Sequence, residues 1–343
     1  MPLPPPLPAP TRELAIPGFA LGQASDAAAR TGVTVILCPE GALAAAEVRG
    51  SATGTRQFDS LVSALHVASR AHAVVLAGGS GFGLAAADSV VEHLARGGYG
   101  FATGVTPIPL VPTAILFDLG FDPSSFDPAV RPWPRLAAEA VAAAAPGPVA
   151  CGSVGAGTGA TVGKALGIAQ AMKGGFGFAS LTVAGGLTVA AAVAVNAFGD
   201  VRDPASGATV AGCRTAPESL ELAGAERVLA ALPPAGAHPW EGNTTLAVVM
   251  TDAALAKAAA LKVCQMAFGG LYRTLAPALS QYDGDLVVTL AGGARPAHVN
   301  QVGTLAQHAV SLAILNAVRE ADGFGRIPAW RDLPGNAGTR ELG

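Results

Sequence analysis

The sequence predicts one α/β domain with mixed sheets, and three observations support this fold class. Strand-like apolar runs alternate with segments of helical periodicity, as where AVVLA at 73–77 is followed by LAAADSVVEHLAR at 84–96. Two β-branched runs, FASLTVA and LTVAAAVAV, flank Gly185-Gly186 and predict a buried hairpin. Apolar residues make up 51% of the 343 positions and charged residues 13%, which excludes a mainly disordered chain.

The individual elements follow from these patterns. The Pro-rich start, residues 1–13, predicts a tail, and no convincing linker interrupts residues 14–325, which we assign to one domain. In the helix predicted at 57–70, Leu61, Leu65 and Val67 are spaced to face a core. Strands are predicted at 33–38, 45–48, 73–77, 110–119, 244–251 and 285–291, and helices at 57–70, 84–98, 135–145, 253–268 and 299–320.

Charge and hydropathy exclude several classes of protein. The net charge of −3 provides no electrostatic footprint for nucleic acid or an anionic membrane. The uncharged stretch 174–196 is interrupted by glycines and fits a hairpin better than a membrane helix. The start of the chain lacks the basic and apolar regions of a signal peptide. We therefore expect a cytoplasmic protein.

The spacing of cysteines and histidines predicts no metal site. The four cysteines lie far apart without a CxxC pair, so we expect them to be reduced and mostly buried. None of the six histidines belongs to an HExxH or similar pair. A metal-dependent or Ser–His–Asp enzyme is therefore disfavoured, and no cofactor is expected.

Two glycine-rich turns leave a nucleotide- or phosphate-binding protein open as an alternative. The first, GGSGFG, follows a strand and opens a helix, but Phe101 lies where a dinucleotide site needs an acidic residue. The second, GSVGAGTGATVGKALG, fails as a phosphate loop because Ala165 follows Lys164 in place of Ser or Thr. Close backbone packing, which requires glycine, is the simpler interpretation of both.

The segment Glu241-Gly242-Asn243-Thr244-Thr245 contains a candidate nucleophile. A loop ends abruptly there, and a strand begins with two hydroxyl residues. If the bond between Asn243 and Thr244 is cut, Thr244 gains a free α-amine beside its own hydroxyl. An α-amine has a pKa near 7.7–8.0, so nucleophile and base can reside on one residue. On pattern alone the signal is weak, and ordinary turn chemistry at a strand start is the usual explanation of such a segment.

Seven stretches, taken together, resemble one family. In family order they are TGVTVILCPEGA, VVLAGGSGFGLAAADSV, VPTAILFDL, GAGTGATVGKALG, VAVNAFGDVRDP, GNTTLAVVMTDA and DGDLVV. They extend from about Leu14 to about Glu320. The chain thus resembles the L-aminopeptidase/D-esterases, β-peptidyl aminopeptidases and nylon-oligomer hydrolases, which are self-processing N-terminal-nucleophile hydrolases.

The resemblance implies a fold and a maturation step. The fold would be a four-layer αββα sandwich, and the precursor would cleave itself between Asn243 and Thr244. The two fragments, 1–243 and 244–343, would stay associated, and such pairs would assemble into tetramers or larger homo-oligomers.

The resemblance also implies roles for particular residues. Thr244 would be the nucleophile, and Asn196 in VNAFGD would stabilise the oxyanion, an effect typically worth roughly 3–4 kcal/mol. Asp283 and Asp285 occupy the DGD position, where acidic residues hold the hydroxyl and amine of the nucleophile; a simple turn entering a strand remains the alternative. Lys164 matches a lysine that tunes ionisation of the nucleophile, although a solvated loop lysine fits nearly as well.

The sequence departs from the family within the VPTAILFDL segment, and the stretch MAFGGLYRTLAPALSQYDGD is more apolar than in many relatives. Some members carry a tyrosine that assists at the oxyanion, and Phe117 takes the corresponding place here. The leading hypothesis is an amidohydrolase or aminopeptidase that cleaves small peptides or amide oligomers, with oligomers of 6-aminohexanoate as one candidate substrate. A nucleotide-binding protein, a non-catalytic oligomeric scaffold and an acyltransferase remain alternatives.

Overall fold

The computed structural model describes residues 6–127, 129–232 and 242–336. Among these residues the helices are α1 (Asp59–Val62), α2 (Ala86–Arg96), α3 (Trp133–Ala142), α4 (Ala225–Ala230), α5 (Lys257–Thr274) and α6 (Val299–Arg319). The strands are β1 (Glu13–Leu14), β2 (Ala20–Asp26), β3 (Thr31–Val48), β4 (Gly54–Arg56), β5 (Arg70–Ala77), β6 (Thr113–Ile115), β7 (Gly147–Pro148), β8 (Thr161–Val162), β9 (Met172–Lys173), β10 (Gly175–Thr182), β11 (Thr188–Asn196), β12 (Asp200–Arg202), β13 (Thr209–Ala211), β14 (Thr244–Ala253), β15 (Leu275–Ala276) and β16 (Leu286–Arg295).

Nine of these strands form one continuous hydrogen-bonded sheet. Its order is β10-β11-β14-β16-β3-β5-β6-β4, and β2 pairs with β3 beside this path. The β14–β16 and β5–β6 pairs are parallel and the other pairs are antiparallel, so the predicted mixed sheet is confirmed. The predicted hairpin is also confirmed, as the antiparallel pair β10–β11.

Strand β3 joins two layers of the fold. Residues 31–37 pair with β2 and residues 43–48 pair with β16, while β5 lies along the opposite edge. The register with β5 breaks between Leu37 and Ala42, and this irregularity bends the strand so that its halves belong to different layers. The two strands predicted at 33–38 and 45–48 are therefore one strand.

Three hydrophobic cores separate four layers. Alternate residues of β11, β14 and β16 pack against helices α5 and α6, and the residues between them face a second core. This second core is closed from the other side by residues of β3 and β5. The opposite face of β3 and β5 packs against α2 and α3 in a third core. The result is the expected αββα sandwich.

The Ala- and Gly-rich composition allows helices to lie very close to strands. A Cβ atom at Gly22 of β2 would overlap the carbonyl oxygen of Ala140 in α3, and one at Gly177 of β10 would overlap that of Ala313 in α6. Larger residues at these strand positions would push the layers apart. The low aromatic content is therefore compatible with a dense interior.

The helix predicted at 57–70 is wrong. Helix α1 ends at Val62, and the chain then runs as a loop to β5. Only Leu61 of the three apolar residues is buried, while Leu65 is 96% and Val67 is 81% exposed. Apolar spacing indicated a helix here, but no layer of the sandwich lies opposite the second half of this segment.

Other boundaries shift by a few residues. Strand β14 continues to Ala253, so α5 begins later than predicted and ends at Thr274. The strand predicted at 110–119 contains only the three residues of β6. None of the described helices is both long and apolar enough to cross a membrane.

Candidate active site

Three segments predicted from the family motifs meet at one end of the sheet. Thr244 is the first residue of β14 and pairs with Asn196, the last residue of β11. Strand β16 is parallel to β14, so the residues just before it, Asp283-Gly284-Asp285, lie at the same end. Asn243 and Asp283 form a parallel bridge there. The topology thus places the acidic pair beside the Asn243–Thr244 peptide.

The peptide between Asn243 and Thr244 is buried and tightly held. The Thr244 hydroxyl donates to the carbonyl oxygen of Asn243, and the N–H of Gly284 donates to the same oxygen at 2.8 Å. Thr244 is only 3% exposed. A Cβ atom at Gly284 would lie 2.8 Å from Thr244 Oγ1 and 2.7 Å from the carbonyl oxygen of Ala52, so only glycine fits without displacement. The Thr244 hydroxyl and a backbone donor therefore converge on one carbonyl group.

The side-chain amide of Asn196 has a defined orientation. Its Oδ1 accepts from the N–H of Thr161 at 2.9 Å and from Lys164 Nζ at 3.0 Å. Its Nδ2 donates to the carbonyl oxygen of Phe117 at 2.9 Å and to that of Gly242 at 3.3 Å. Donors at one end and acceptors at the other determine which way the amide points. Nδ2 therefore faces the chain that leads into Thr244.

Lys164 lies inside the protein, which contradicts the alternative of a solvated loop lysine. The residue is 2% exposed. Besides its bond to Asn196 Oδ1, Nζ donates to the carbonyl oxygens of Thr161 at 3.0 Å and Asn196 at 2.9 Å. These three contacts hold the ammonium group against the Asn196 residue. Lys164 is therefore buried beside Asn196.

Asp283 and Asp285 are both buried and hold backbone groups. Asp285 Oδ1 accepts from the N–H of Thr245 at 2.6 Å. Asp283 Oδ1 accepts from the N–H of Phe198 at 3.0 Å, and its Oδ2 accepts from the Ser280 hydroxyl at 2.6 Å. Burial raises the pKa of both carboxyl groups, and the charge of Asp283 raises the pKa of Asp285 further, well above its usual range.

Phe117 contributes its backbone and not a hydroxyl group. Its carbonyl oxygen binds Asn196 Nδ2, and its ring lies against Gly242, where a Cβ atom would come within 2.6 Å of Phe117 Cβ. An apolar ring, and not a tyrosine hydroxyl, therefore lies next to Gly242.

Sequence reasoning missed three contributors to this site. The N–H of Gly284, the N–H of Thr161 and the Ser280 hydroxyl all contact proposed site residues. Gly284 was visible only as the middle of DGD, and backbone N–H groups leave no signal of their own in residue identity. Ser280 lies three residues before Asp283, a spacing typical of a turn.

Both glycine-rich turns serve close packing. Gly79 has a positive φ of 81°, and a Cβ atom there would overlap the ring of Trp133. A Cβ atom at Gly157 would overlap the backbone nitrogen of Phe176. These contacts favour the packing interpretation over a nucleotide site.

Comparison with known proteins identifies relatives over almost the whole chain. The model of peptidase family S58 matches residues 15–326. An uncharacterized aminopeptidase of Mycobacterium tuberculosis is 38% identical over 327 residues, covering 90% of this chain and 91% of the relative. A 6-aminohexanoate-oligomer endohydrolase of Paenarthrobacter ureafaciens is 30% identical, covering 78% and 71%.

Solved structures share the fold. A β-aminopeptidase from Burkholderia sp. superimposes with a TM-score of 0.69 at 22% identity, covering 95% of this chain and 93% of the other. The L-aminopeptidase D-Ala-esterase/amidase of Ochrobactrum anthropi, described as a variant of the N-terminal-nucleophile (Ntn) hydrolase fold, superimposes at 0.67 with 16% identity, covering 92% and 88%. The fold and family expected from the motifs are confirmed.

The raised pKa of Asp285 predicts a pH dependence of stability. In the native state Asp285 keeps a proton that it releases in the unfolded chain near the ordinary aspartate pKa of about 3.9. The free energy of unfolding should therefore fall as pH rises above that value, by about 1.4 kcal/mol for each pH unit over which the states differ by one proton. Asp285→Asn should lose the part of this fall that Asp285 causes, so the variant should gain stability relative to the parent as pH rises above about 4.

Urea unfolding, with every chain also carrying Thr244→Ala to prevent processing, measures this difference. Asp88→Asn, on the exposed side of α2, is the control and should keep the parental slope. Equal slopes for the parent and Asp285→Asn would show that Asp285 ionises normally in the folded protein.

Proposed function

Because the chain belongs to peptidase family S58, it is an amide-bond hydrolase, and we propose that Thr244 is its nucleophile. The nucleophile becomes active when the chain cuts itself between Asn243 and Thr244. One observation carries this proposal: the Thr244 hydroxyl lies against the carbonyl group of Asn243, and the Gly284 N–H donates to that same carbonyl oxygen.

Self-cleavage proceeds in two steps that conserve atoms. Thr244 Oγ1 attacks the carbonyl carbon of Asn243, the C–N bond breaks, and an ester forms while the hydroxyl proton passes to the departing α-nitrogen. Water then hydrolyses the ester, leaving a carboxylate on Asn243 and a free hydroxyl and α-amine on Thr244. The Gly284 N–H is the donor that stabilises negative charge on the Asn243 oxygen during the first step.

The mature site uses the same nucleophile on a substrate amide. The neutral α-amine of Thr244 takes the proton of its own hydroxyl, Oγ1 attacks the substrate carbonyl, and the proton passes to the leaving amine. Water then hydrolyses the acyl-enzyme. Asn196 Nδ2, which holds the Gly242 carbonyl in the uncut chain, becomes available to the substrate oxyanion once the segment ending at Asn243 withdraws.

The charged residues hold this arrangement in place. Lys164 fixes the oxygen end of the Asn196 amide. Asp285 holds the N–H that follows Thr244, and Asp283 holds the loop at Phe198. The raised pKa of Asp285 favours its neutral carboxyl form, which stabilises a protonated Thr244 α-amine less than a carboxylate would and so helps the amine to act as the neutral base.

The substrates proposed are small peptides and amide oligomers. Relatives named as aminopeptidases favour a substrate with a free amine next to the scissile amide. The relatives named as 6-aminohexanoate-oligomer endohydrolases, at 29–30% identity, make such oligomers a specific candidate. The apolar Phe117 ring beside Gly242 suits a hydrocarbon linker.

A homo-oligomer of processed pairs, with a tetramer as the starting expectation, is proposed as the working form. Large apolar side chains such as Leu65, Val67 and Val105 are exposed and would be available to an interface between copies of the chain. A cytoplasmic location is supported by the four cysteines, which are all free thiols.

Replacement of the proposed nucleophile separates this mechanism from others. Thr244→Ala removes the attacking oxygen and should abolish hydrolysis of L-alanine p-nitroanilide and of 6-aminohexanoate trimer. Thr244→Ser keeps a hydroxyl and an α-amine and should retain measurable turnover. Release of p-nitroaniline or of new amines measures both variants. Amide hydrolysis by purified Thr244→Ala at the parental rate would contradict the mechanism.

Gly284 provides a second test, directed at maturation. Gly284→Ala places a methyl group against Thr244 Oγ1 and the Ala52 carbonyl, so the hydroxyl or the N–H donor must move. Loss of one oxyanion donor costs on the order of 100-fold in rate, so self-cleavage should slow by at least about 10-fold. Time-resolved gel analysis of fresh protein measures the cleavage rate.

The matched control for this test is Gly81→Ala, where a Cβ atom would meet nothing within 4 Å. This control should mature like the parent chain. If Gly284→Ala also matured at the parental rate, the Gly284 N–H would have no part in the cleavage step.

A further inference from the structure

Two further buried charged residues lie near Asn196, the proposed oxyanion donor. Lys173 is fully buried and Asp118 is 4% exposed. Neither residue contacts the Thr244 hydroxyl, and the mechanism above does not use them. Burying a charged group costs free energy unless the group is hydrogen-bonded or paired with an opposite charge. The hydrogen bonds of Lys173 and Asp118 therefore show which backbone segments they stabilise.

Lys173 holds the backbone that leads into Thr161. Its Nζ donates to the carbonyl oxygens of Gly157 at 2.9 Å, Ala160 at 2.8 Å and Gly174 at 3.1 Å. In the two-stranded pair of β8 and β9, Lys173 lies opposite Thr161. The N–H of Thr161 belongs to the same peptide group as the Ala160 carbonyl, and it donates to Asn196 Oδ1. Lys173 therefore supports one end of the Asn196 amide.

Asp118 holds the backbone on the other side. Its Oδ2 accepts from the Thr31 hydroxyl and its Oδ1 from the N–H of Gly79, both at 2.7 Å. Phe117, the preceding residue, accepts from Asn196 Nδ2 through its carbonyl oxygen. A Cβ atom at Gly159 would lie 2.8 Å from Asp118 Cβ, so the loop held by Lys173 packs directly against Asp118.

We propose that Lys173 is a positioning residue for the reaction, acting with Asp118 to fix the Asn196 amide so that Nδ2 faces the oxyanion. This inference rests on the proposed function of Asn196. The two buried side chains anchor the two backbone segments that bind opposite ends of this amide. Without them the amide could rotate and present Oδ1, which repels an oxyanion.

The electrostatics fit this arrangement. Burial lowers the pKa of Lys173 to about 7, and the charges of Asp118 and Asp322 raise it while that of Lys164 lowers it. Burial raises the pKa of Asp118 to about 6, and its hydrogen bonds and the charge of Lys173 lower it. Each charge thus favours the charged form of the other.

A double-mutant cycle tests the proposal on the processed enzyme, with L-alanine p-nitroanilide and 6-aminohexanoate trimer as probes. Lys173→Met keeps the length of the side chain and removes its three hydrogen bonds. It should lower kcat by about 10-fold to 100-fold and leave KM within about twofold, because the donor matters most in the transition state. In an Asn196→Ala background, Lys173→Met should change kcat by less than about threefold.

Lys257→Met is the matched control. Lys257 is partly buried and, like Lys173, donates to backbone carbonyls, in this case those of Ala44 and Ser60. It should lower the melting temperature without changing kcat per processed chain. Asp118→Asn keeps the shape of the side chain and replaces Lys173→Met if that variant does not fold. It should lower kcat in the parent enzyme but change kcat by less than about threefold in the Asn196→Ala background.

The outcomes separate this inference from the proposed function. If Asn196→Ala leaves kcat unchanged, the assignment of Asn196 as oxyanion donor fails, and the role of Lys173 fails with it. If Asn196→Ala lowers kcat but Lys173→Met or Asp118→Asn lowers it by the same factor in both backgrounds, the positioning role is overturned while the proposed function stands.

Discussion

The hydrogen bond from the Gly284 N–H to the carbonyl oxygen of Asn243 is the contact on which the site depends. It exists because β14 and β16 run parallel, so that the residues before both strands meet at one sheet end. The same parallel pair requires the chain to cross over between the strands, and helix α5 makes that crossing. The parallel pairing of β14 and β16 therefore accounts both for the helix that connects them and for the location of the Asn243–Thr244 peptide.

Buried charge shapes the loops around this peptide. Lys164 and Lys173 donate mainly to backbone carbonyls, and Asp283 and Asp285 accept from backbone N–H groups. Such bonds replace water around groups that would otherwise be costly to bury. Arg214 is a similar case away from the site, since its guanidinium donates to the carbonyls of 169, 171 and 219. Hydrogen bonds from buried charged side chains thus fix the conformation of these loops, as backbone pairing fixes that of the sheet.

The regular elements could be predicted because their periodicity is local. The hairpin of β10 and β11 and the long helix α6 follow from runs of residues with one clear period. The segment at 57–70 shows the limit, since apolar spacing does not reveal whether a packing surface lies opposite Leu65. The sequence did not reveal the continuity of β3, because Pro-Glu-Gly after Cys38 is typical of a strand end. In the structure β3 continues through these residues, and only its pairing register with β5 shifts.

The proposed site residues could be identified from the family motifs. What the sequence could not supply was the set of backbone contacts from Gly284, Thr161 and Phe117, because such contacts depend on long-range packing. Lys173 and Asp118 were equally invisible: each is a single charged residue in an apolar context, and only the fold brings them to the two sides of Asn196.

The intact mass of the purified protein under denaturing conditions tests the central claim most directly. Cleavage before Thr244 predicts two fragments of about 24 and 10 kDa, in proportion to the 33.8 kDa of the whole chain, the smaller beginning Thr-Thr-Leu. A single 33.8 kDa chain that nevertheless hydrolyses amides would contradict the account, because the base proposed for Thr244 would not exist.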